Sequence, residues 1–330
     1  MTPLDRDLCA AVADLGGAPS WIERAWNVAR LLGLSGVLIG GSWLFWMLPL
    51  GWPSGAMLII TGAAYALLLI ATHEMVHATL LGWRRIETPL ACLLSWPMGW
   101  PYLTYARLHR LHHLWNGRDP RDPERTDVLP MERLHASPLR RQLQSHLLPL
   151  RILVFGGVGL IAETTIKGLQ LQHVDPRLGL ARLGDGIGVV VGHTAMLSVA
   201  MVHGEIWRYL LFWLVLERVI GGIVQLRGLV EHHGLWQQHN TNLQTQLYAS
   251  RNIRCSAWFN ALMGGLPHHS AHHAFPWLCS ARLPEGSARI AAVLARHGAA
   301  PTPLADSYAA ALQLLRPADA PCSQSSPGSC

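Results

Sequence analysis

The chain has 330 residues, of which 50% are hydrophobic and only 14% are charged, and its mean hydropathy is +0.23. Soluble domains carry about 25% charged residues, so this composition disfavours a soluble protein and favours an integral membrane protein. The net charge of +6 is better explained by arginines that face anionic lipid on one membrane side than by nucleic acid, so no nucleic-acid partner is expected.

Residues 1–30 precede the first apolar stretch. They contain acidic side chains and lack the basic start and apolar core of a signal peptide. We therefore expect a cytoplasmic N-terminal segment at 1–30, a membrane domain at 31–316 and a disordered tail at 317–330, which is rich in Pro and Ser.

Four stretches are close to the length of about 20 mostly apolar residues that a membrane span requires. They are residues 31–50, 55–72, 186–202 and 207–226. Short turns join the first pair and the second pair, which predicts two hairpins. The expected fold is an all-α integral membrane protein with about four transmembrane helices, interfacial helices and a histidine-rich cap on the cytoplasmic side.

Arginines are frequent in the polar region between the two hairpins, from Arg107 to Arg141. The positive-inside rule places this region and both chain ends in the cytoplasm, with the protein in the inner or plasma membrane. Residues 146–166 and 89–101 are also apolar. We expect both to be interfacial or re-entrant, because a crossing at 146–166 would put later histidines on the opposite membrane face from earlier ones.

Histidines occur in clusters next to the apolar stretches. The clusters read His73-Glu-Met-Val-His77, His109-Arg-Leu-His112-His113, Glu231-His232-His233 and His268-His269-Ser-Ala-His272-His273. Residues three and four apart share a helix face, so each cluster presents its imidazoles together. With the predicted topology, all four clusters reach the same membrane surface.

Nine of these imidazoles have the spacing of metal ligands. A single zinc ion takes four ligands, so nine imidazoles favour two metals with open positions. Neutral imidazole prefers iron, copper, zinc or nickel to magnesium or calcium. The candidate ligands are His73, His77, His109, His112, His113, His232, His269, His272 and His273.

The series of an HxxxH box and two HxxHH boxes around two apolar hairpins resembles the integral-membrane fatty acid desaturase superfamily. The segments 119–124, 227–232 and 265–276 also look like that family's sequence around its boxes. The resemblance implies a non-haem di-iron centre on the nine histidines, dioxygen as co-substrate, a lipid or fatty acyl substrate among membrane lipids, and a separate electron donor. That donor would be a ferredoxin, rubredoxin or cytochrome b5-type protein with its reductase.

Four further residues are candidates to orient the imidazoles through the ring nitrogen that does not bind metal. They are Glu231, Asp119, His233 and His268.

The reaction itself stays open at the level of sequence. A fatty acid desaturase is favoured, and an acyl or alkane hydroxylase or a terminal-alkene-forming fatty acid decarboxylase are the alternatives. A different class is an intramembrane zinc metalloprotease, because residues 73–77 fit HExxH with Glu74 as general base. A non-enzymatic metal transporter is a further rival, although transport sites lie near the membrane midplane.

Overall fold

Four long apolar helices organise the protein, and shorter helices gather at one end of them. The computed structural model describes residues 1–126 and 148–315, which are mostly helical. Among these residues, the helices long and apolar enough to cross a membrane are Trp21–Met47, Trp52–His77, Arg177–Val202 and Ile206–His232. The prediction of an all-α membrane protein with four spans is therefore confirmed.

The first hairpin follows a short amphipathic helix, α1 (Pro3–Val12). It consists of α2 (Trp21–Met47) and α3 (Trp52–His77). Ser20 and Glu23 form a capping box that starts α2 ten residues before the apolar stretch expected from hydropathy. The helix thus begins in the polar N-terminal segment, because capping rather than hydropathy decides where it starts.

The chain between the hairpins packs beside the spans. It forms α4 (Arg84–Ser95), a short 3-10 turn and α5 (Tyr102–Trp115). Neither α4 nor the turn is among the helices long and apolar enough to cross a membrane, and the Leu94 carbonyl accepts a hydrogen bond from Tyr65 in the middle of α3. Residues 127–147, including Arg133, Arg140 and Arg141 of the predicted arginine-rich region, lie outside the described residues.

A broken helix, α6 (Leu148–Gln170), precedes the second hairpin, which consists of α7 (Arg177–Val202) and α8 (Ile206–His232). Gly156 has φ 45° and interrupts α6. The α8 backbone approaches this break so closely that a Cβ on Gly221 would lie 2.0 Å from the Gly157 nitrogen. Glycine is therefore required at position 156, where φ is positive, and at position 221, where the two backbones approach each other. Helix α6 packs along α8, but it is not among the candidate spans.

The residues after α8, 233–315, form a small domain-like layer that we call the cap. Its helices are α9 (Asn242–Tyr248), α10 (Ala257–Leu262), α11 (His269–Ala274), α12 (Leu283–Arg296) and α13 (Tyr308–Gln313). Two short strands, Asn252–Ile253 and Leu304–Ala305, pair in parallel. The cap packs on α1 through a buried apolar cluster that includes Leu8, Leu278 and Ile290. The predicted disordered tail, 317–330, lies outside the described residues.

Helix α5 is fixed at its N-terminus by a residue from the second hairpin. The buried carboxylate of Asp185 on α7 accepts hydrogen bonds from the backbone N–H groups of Leu103 and Thr104, from the Thr104 hydroxyl, and from the Trp96 indole. The first N–H groups of a helix have no partner within the helix. Asp185 therefore caps α5 and determines where this histidine-bearing helix begins.

Candidate metal centre

The nine histidines of the sequence motifs converge at the end of the spans nearest the cap. His73 and His77 end α3, His232 ends α8, and three histidines each lie on α5 and α11. Most of these side chains are buried; His77 and His113 are partly buried. Four clusters that are distant in sequence thus share one location, as the predicted topology required.

The first group contains five imidazoles. Their nearest ring nitrogens all lie within 4.8 Å of one another. The members are His73, His77, His109, His113 and His272. Two pairs in this group are four residues apart on α3 and α5, so each pair shares a helix face.

The second group contains His112, His232 and His273, again with ring nitrogens within 4.8 Å. His269 adjoins it, because its Nε2 lies 2.9 Å from Nε2 of His232 and 3.1 Å from Nε2 of His273. The two groups touch: the rings of His113 and His273 stack with centroids 4.4 Å apart. Each HxxHH box therefore divides its imidazoles between two adjacent positions.

Acceptors on the outer side orient four of the imidazoles. Nδ1 of His109 lies 2.7 Å from Glu124, and Nδ1 of His112 lies 2.8 Å from Asp122. Nδ1 of His232 donates to the Ala249 carbonyl oxygen, and Nδ1 of His273 contacts Oε1 of Gln246 at 3.0 Å. These acceptors hold the proton on Nδ1, which leaves the lone pair of Nε2 pointing into the site.

Several inner nitrogens lack partners among the described residues. Nε2 of His77, His112 and His272 is buried and accepts or donates no hydrogen bond there. Buried polar atoms without partners are rare and costly, unless an ion occupies the space between them. Imidazole nitrogens that converge in this way fit a late first-row transition metal.

Burial also keeps these imidazoles neutral, which is the form that binds metal. Burial, together with neighbouring imidazoles, holds the pKa of His113, His269, His272 and His273 well below the usual value. Burial alone would lower the pKa of His112 too, but the carboxylates of Asp122 and Glu124 outweigh burial and raise it. Among the nine imidazoles, His112 is thus the one whose carboxylate neighbours outweigh burial.

The four residues predicted to orient imidazoles have different surroundings. Glu231 is buried, pairs with Arg227, and lies 3.4 Å from Nε2 of His269. Asp119 is bound by Arg121 instead of a histidine. The backbone carbonyl of His233 accepts a hydrogen bond from Arg251. His268 is half-buried, and no ring contact in the described part of the chain joins it to the nine.

Sequence reasoning missed Asp122, Glu124 and Gln246. The segment Asp119-Pro-Arg-Asp-Pro-Glu124 contains two Asp-Pro steps. The aspartate of the first step, Asp119, is predicted from the sequence to orient an imidazole. In the structure, Asp119 pairs with Arg121 two residues later, and the second step points toward α5. The sequence signal for Asp122 is Glu124 two residues later, because two acidic residues this close can each contact an imidazole. In the structure Glu124 contacts His109, the neighbour of His112 on α5. No local signal marks Gln246.

Glu74, the general base of the protease hypothesis, is engaged elsewhere. Its buried carboxylate forms an ion pair with Arg30 of α2. Arg30 also donates to the Ala261 carbonyl of the cap, so the pair ties α2, α3 and the cap together. A metalloprotease needs this carboxylate beside a metal-bound water. The pairing with Arg30 argues against that role.

A cavity of about 350 Å³ opens onto the histidine groups. His73 of the first group and His232 of the second both line it. Its other walls come from α3, α5, α6 and α8, from Met98 and Trp100 before α5, and from residues 123–126, and they are largely apolar. The apolar wall residues include Leu69, Ile70, Met98, Leu160, Ile161 and Ile220. The site can therefore present an apolar chain to both groups at once.

Residues 50–304 match the family model for fatty acid desaturase. The match includes every helix from α3 to α8, all the histidine boxes and most of the cap. The chain belongs to the fatty acid desaturase family. No individual curated protein matches it significantly. Membership in this family, with the four apolar helices and the two histidine groups, makes the protein a membrane oxidoreductase of lipid metabolism that binds metal. The resemblance inferred from the boxes is confirmed.

Proposed function

We propose that the protein is a dioxygen-dependent oxidase that uses two iron ions, and that it inserts a C=C bond into a fatty acyl chain. One observation carries the proposal: two adjacent groups of mostly buried imidazoles, several with inner nitrogens that have no partner among the described residues, open together onto a largely apolar cavity. Fatty acid desaturase membership gives the chemistry that fits this arrangement.

The two groups define which residues would hold each ion. The first ion would take ligands from His73, His77, His109, His113 and His272. The second would take His112, His232 and His273, with His269 beside them and Glu231 within reach of the same space. Imidazole donors suit iron, and a carboxylate beside the second group offers a harder oxygen ligand.

Iron bound there supplies the activation of dioxygen that an unreactive C–H bond requires. When a double bond forms, two hydrogens leave neighbouring carbons, and with two electrons and two protons they reduce dioxygen to two water molecules. The sequence contains no flavin or nicotinamide motif, so the electrons come from a separate ferredoxin, rubredoxin or cytochrome b5-type donor.

The protein's own contribution is to position the chain and exclude water. The apolar wall of the cavity holds methylene groups against His73 and His232, which replaces a chance encounter by a fixed geometry. The cap closes the other side of the histidine groups through α9 and α11. We place the site and both chain ends on the cytoplasmic side of the inner or plasma membrane, following the arginine distribution.

A hydroxylase or a terminal-alkene-forming decarboxylase would use the same site and the same electron supply. These alternatives differ in where the chain lies when hydrogen is removed, and their products separate them in one experiment. The zinc metalloprotease is disfavoured, because Glu74 is paired with Arg30 and nine imidazoles converge instead of two.

The test is expression in a host that supplies an electron donor, followed by metal analysis and a comparison of lipids and volatile hydrocarbons. We expect iron in the purified protein and new products that disappear without dioxygen. A control for the loss of any histidine is His297→Ala, which should leave the iron content and the products unchanged. This exposed histidine pairs with Asp7 and is not one of the nine. Purified protein that binds zinc alone and forms no oxidised lipid would overturn the proposal.

A further inference from the structure

The cavity extends along one face of α8, away from the histidines. The lining residues on α8 are Glu217, Ile220, Gly221, Val224, Gln225, Arg227, Gly228, Leu229 and His232. Of these, Arg227 is already paired with Glu231. At 1.5 Å per residue, the distance from Glu217 to His232 is roughly 22 Å. The cavity is therefore a long groove with the histidine groups at one end.

Polar groups at the far end of the groove are already engaged. The Glu217 carboxylate accepts the Val158 N–H at the break in α6 and pairs with Arg218. The Gln225 amide donates to the Gly156 carbonyl. These side chains compensate for the interrupted helix, so the far part of the groove offers a ligand mainly apolar surface.

The near end of the groove carries a cation that no part of the proposed chemistry uses. Lys167 of α6 lines the groove, and it is the only lysine among the 26 lysines and arginines of the chain. Its ammonium donates to the Glu163 carboxylate at 2.6 Å and to the Pro123 carbonyl. An ammonium has three N–H donors. Within the described residues the third is not taken.

The contact with Pro123 places this ammonium next to the histidines. Pro123 lies between Asp122 and Glu124, the carboxylates that contact His112 and His109. The Lys167–Glu163 pair is partly exposed, and such pairs are weak, so a second carboxylate can share or replace Glu163 at little cost. The groove thus has an ammonium at its histidine end, beside the carboxylates of Glu124 and Glu163, and an apolar channel leading away from it.

We propose that Lys167 binds the carboxylate of an unesterified fatty acid, with the tail in the groove toward Glu217. This inference rests on the proposed function and adds the substrate class and the position of attack. A chain held by its carboxylate at the histidine end presents its first few carbons to His73 and His232. Oxidation then occurs at a fixed distance from the carboxyl group, whatever the length of the tail.

Binding can be tested without turnover. Biosynthetic incorporation of 13C-labelled lysine marks Lys167 alone, because the chain has one lysine, and it leaves all three N–H donors of the ammonium intact. We expect a saturated fatty acid to shift the Lys167 Cε resonance, and its methyl ester to leave it unchanged. Methyl-labelled methionine in the same sample supplies an internal control, because Met1 is 84% exposed and outside the groove.

Anionic phospholipid is the other source of a negative head group in a membrane. Vesicles of phosphatidylglycerol are therefore titrated in a parallel sample. A shift with phosphatidylglycerol but not with fatty acid, or equal shifts with acid and ester, would overturn the proposal. This readout is independent of iron and dioxygen, so it can fail while the proposed oxidase function stands, or succeed while that function fails.

Kinetics and products give the second test. Lys167→Met should raise KM for the free acid about tenfold, because a hydrogen bond to a charged group is lost, and leave kcat little changed. Lys167→Arg should restore most of the affinity for the free acid. Arg182→Met should leave KM unchanged, because Arg182 donates a hydrogen bond to Gln172 outside the groove. With saturated acids of increasing length, the oxidised carbon should keep its distance from the carboxyl group. A double bond at constant distance from the methyl end would contradict the proposal.

Discussion

The two histidine groups are positioned in different ways. In the first group, His73 and His77 end a long buried helix, and among the described residues His73 has no hydrogen bond from either ring nitrogen. In the second group, His232 and His273 are held by the Ala249 carbonyl and the Gln246 amide, both from the cap. Helix packing thus positions His73 and His77 of the first group, whereas hydrogen bonds to the cap position His232 and His273 of the second.

This difference predicts different sensitivities. In the first group Glu124 orients His109, but His73 and His77 are held by interhelical packing that is spread over many contacts. The second group depends on a few hydrogen bonds from short segments, which are more easily disturbed. Its metal should therefore be the first lost when the cap is loosened.

The largest effect is expected from removing one ligand of each group. His272→Ala should empty the first position and His112→Ala the second, with activity abolished in both because the reaction needs two ions. Iron analysis and product formation in isolated membranes measure the effect, and unchanged membrane insertion is the folding control. Full activity in either variant would contradict the assignment of that group.

The next effect separates the groups through their outer partners. Asp122→Asn should lower metal affinity at the second group by roughly 10- to 100-fold, because outer hydrogen bonds to ligands have effects of that size. Gln246→Ala should act on the same group. Metal release to a chelator, followed over time, measures it.

Asp119→Asn is the matched control for this prediction. It makes the same chemical change three residues earlier, on a carboxylate that binds Arg121 and not an imidazole. Metal release should match that of the parent protein. If Asp119→Asn released metal as readily as Asp122→Asn, the conclusion that only the second Asp-Pro step orients an imidazole would be wrong.

A smaller effect is expected at the other end of α5, which serves both groups. Asp185→Asn replaces a buried carboxylate that accepts backbone N–H bonds by an amide that meets those donors with one oxygen only. The loss of charged hydrogen bonds should lower the free energy of unfolding by about 1–3 kcal/mol. Thermal unfolding in detergent measures this loss, and Asp175→Asn, in a half-buried pair with Arg107, should change it less.

The smallest effect on chemistry is expected at Glu74. Glu74→Gln weakens the buried pair with Arg30 and should reduce stability, yet turnover per folded molecule should stay near that of the parent. Thermal unfolding and product formation are measured on the same samples. Complete loss of turnover in a well-folded variant would contradict the purely structural role of the Glu74–Arg30 pair.

Features that depend on local sequence could be predicted before the fold was known. Hydropathy over a span, the spacing of His73 and His77, and the HxxHH boxes are local, because helix geometry alone brings residues four apart together. The four spans, the helical class and the desaturase family followed from them. Hydropathy did not predict the starting residue of α2, since Ser20 caps the helix outside the apolar stretch.

Only the tertiary structure decided how these parts combine. His109 and His112 belong to different groups, because the end of α3 contacts His109 and the end of α8 contacts His112. Asp122 rather than Asp119 reaches an imidazole, and Lys167 lies on the groove next to Pro123, through contacts between residues far apart in the chain. Motif spacing establishes which side chains are available to a metal, whereas long-range packing establishes which of them face each other and what they face.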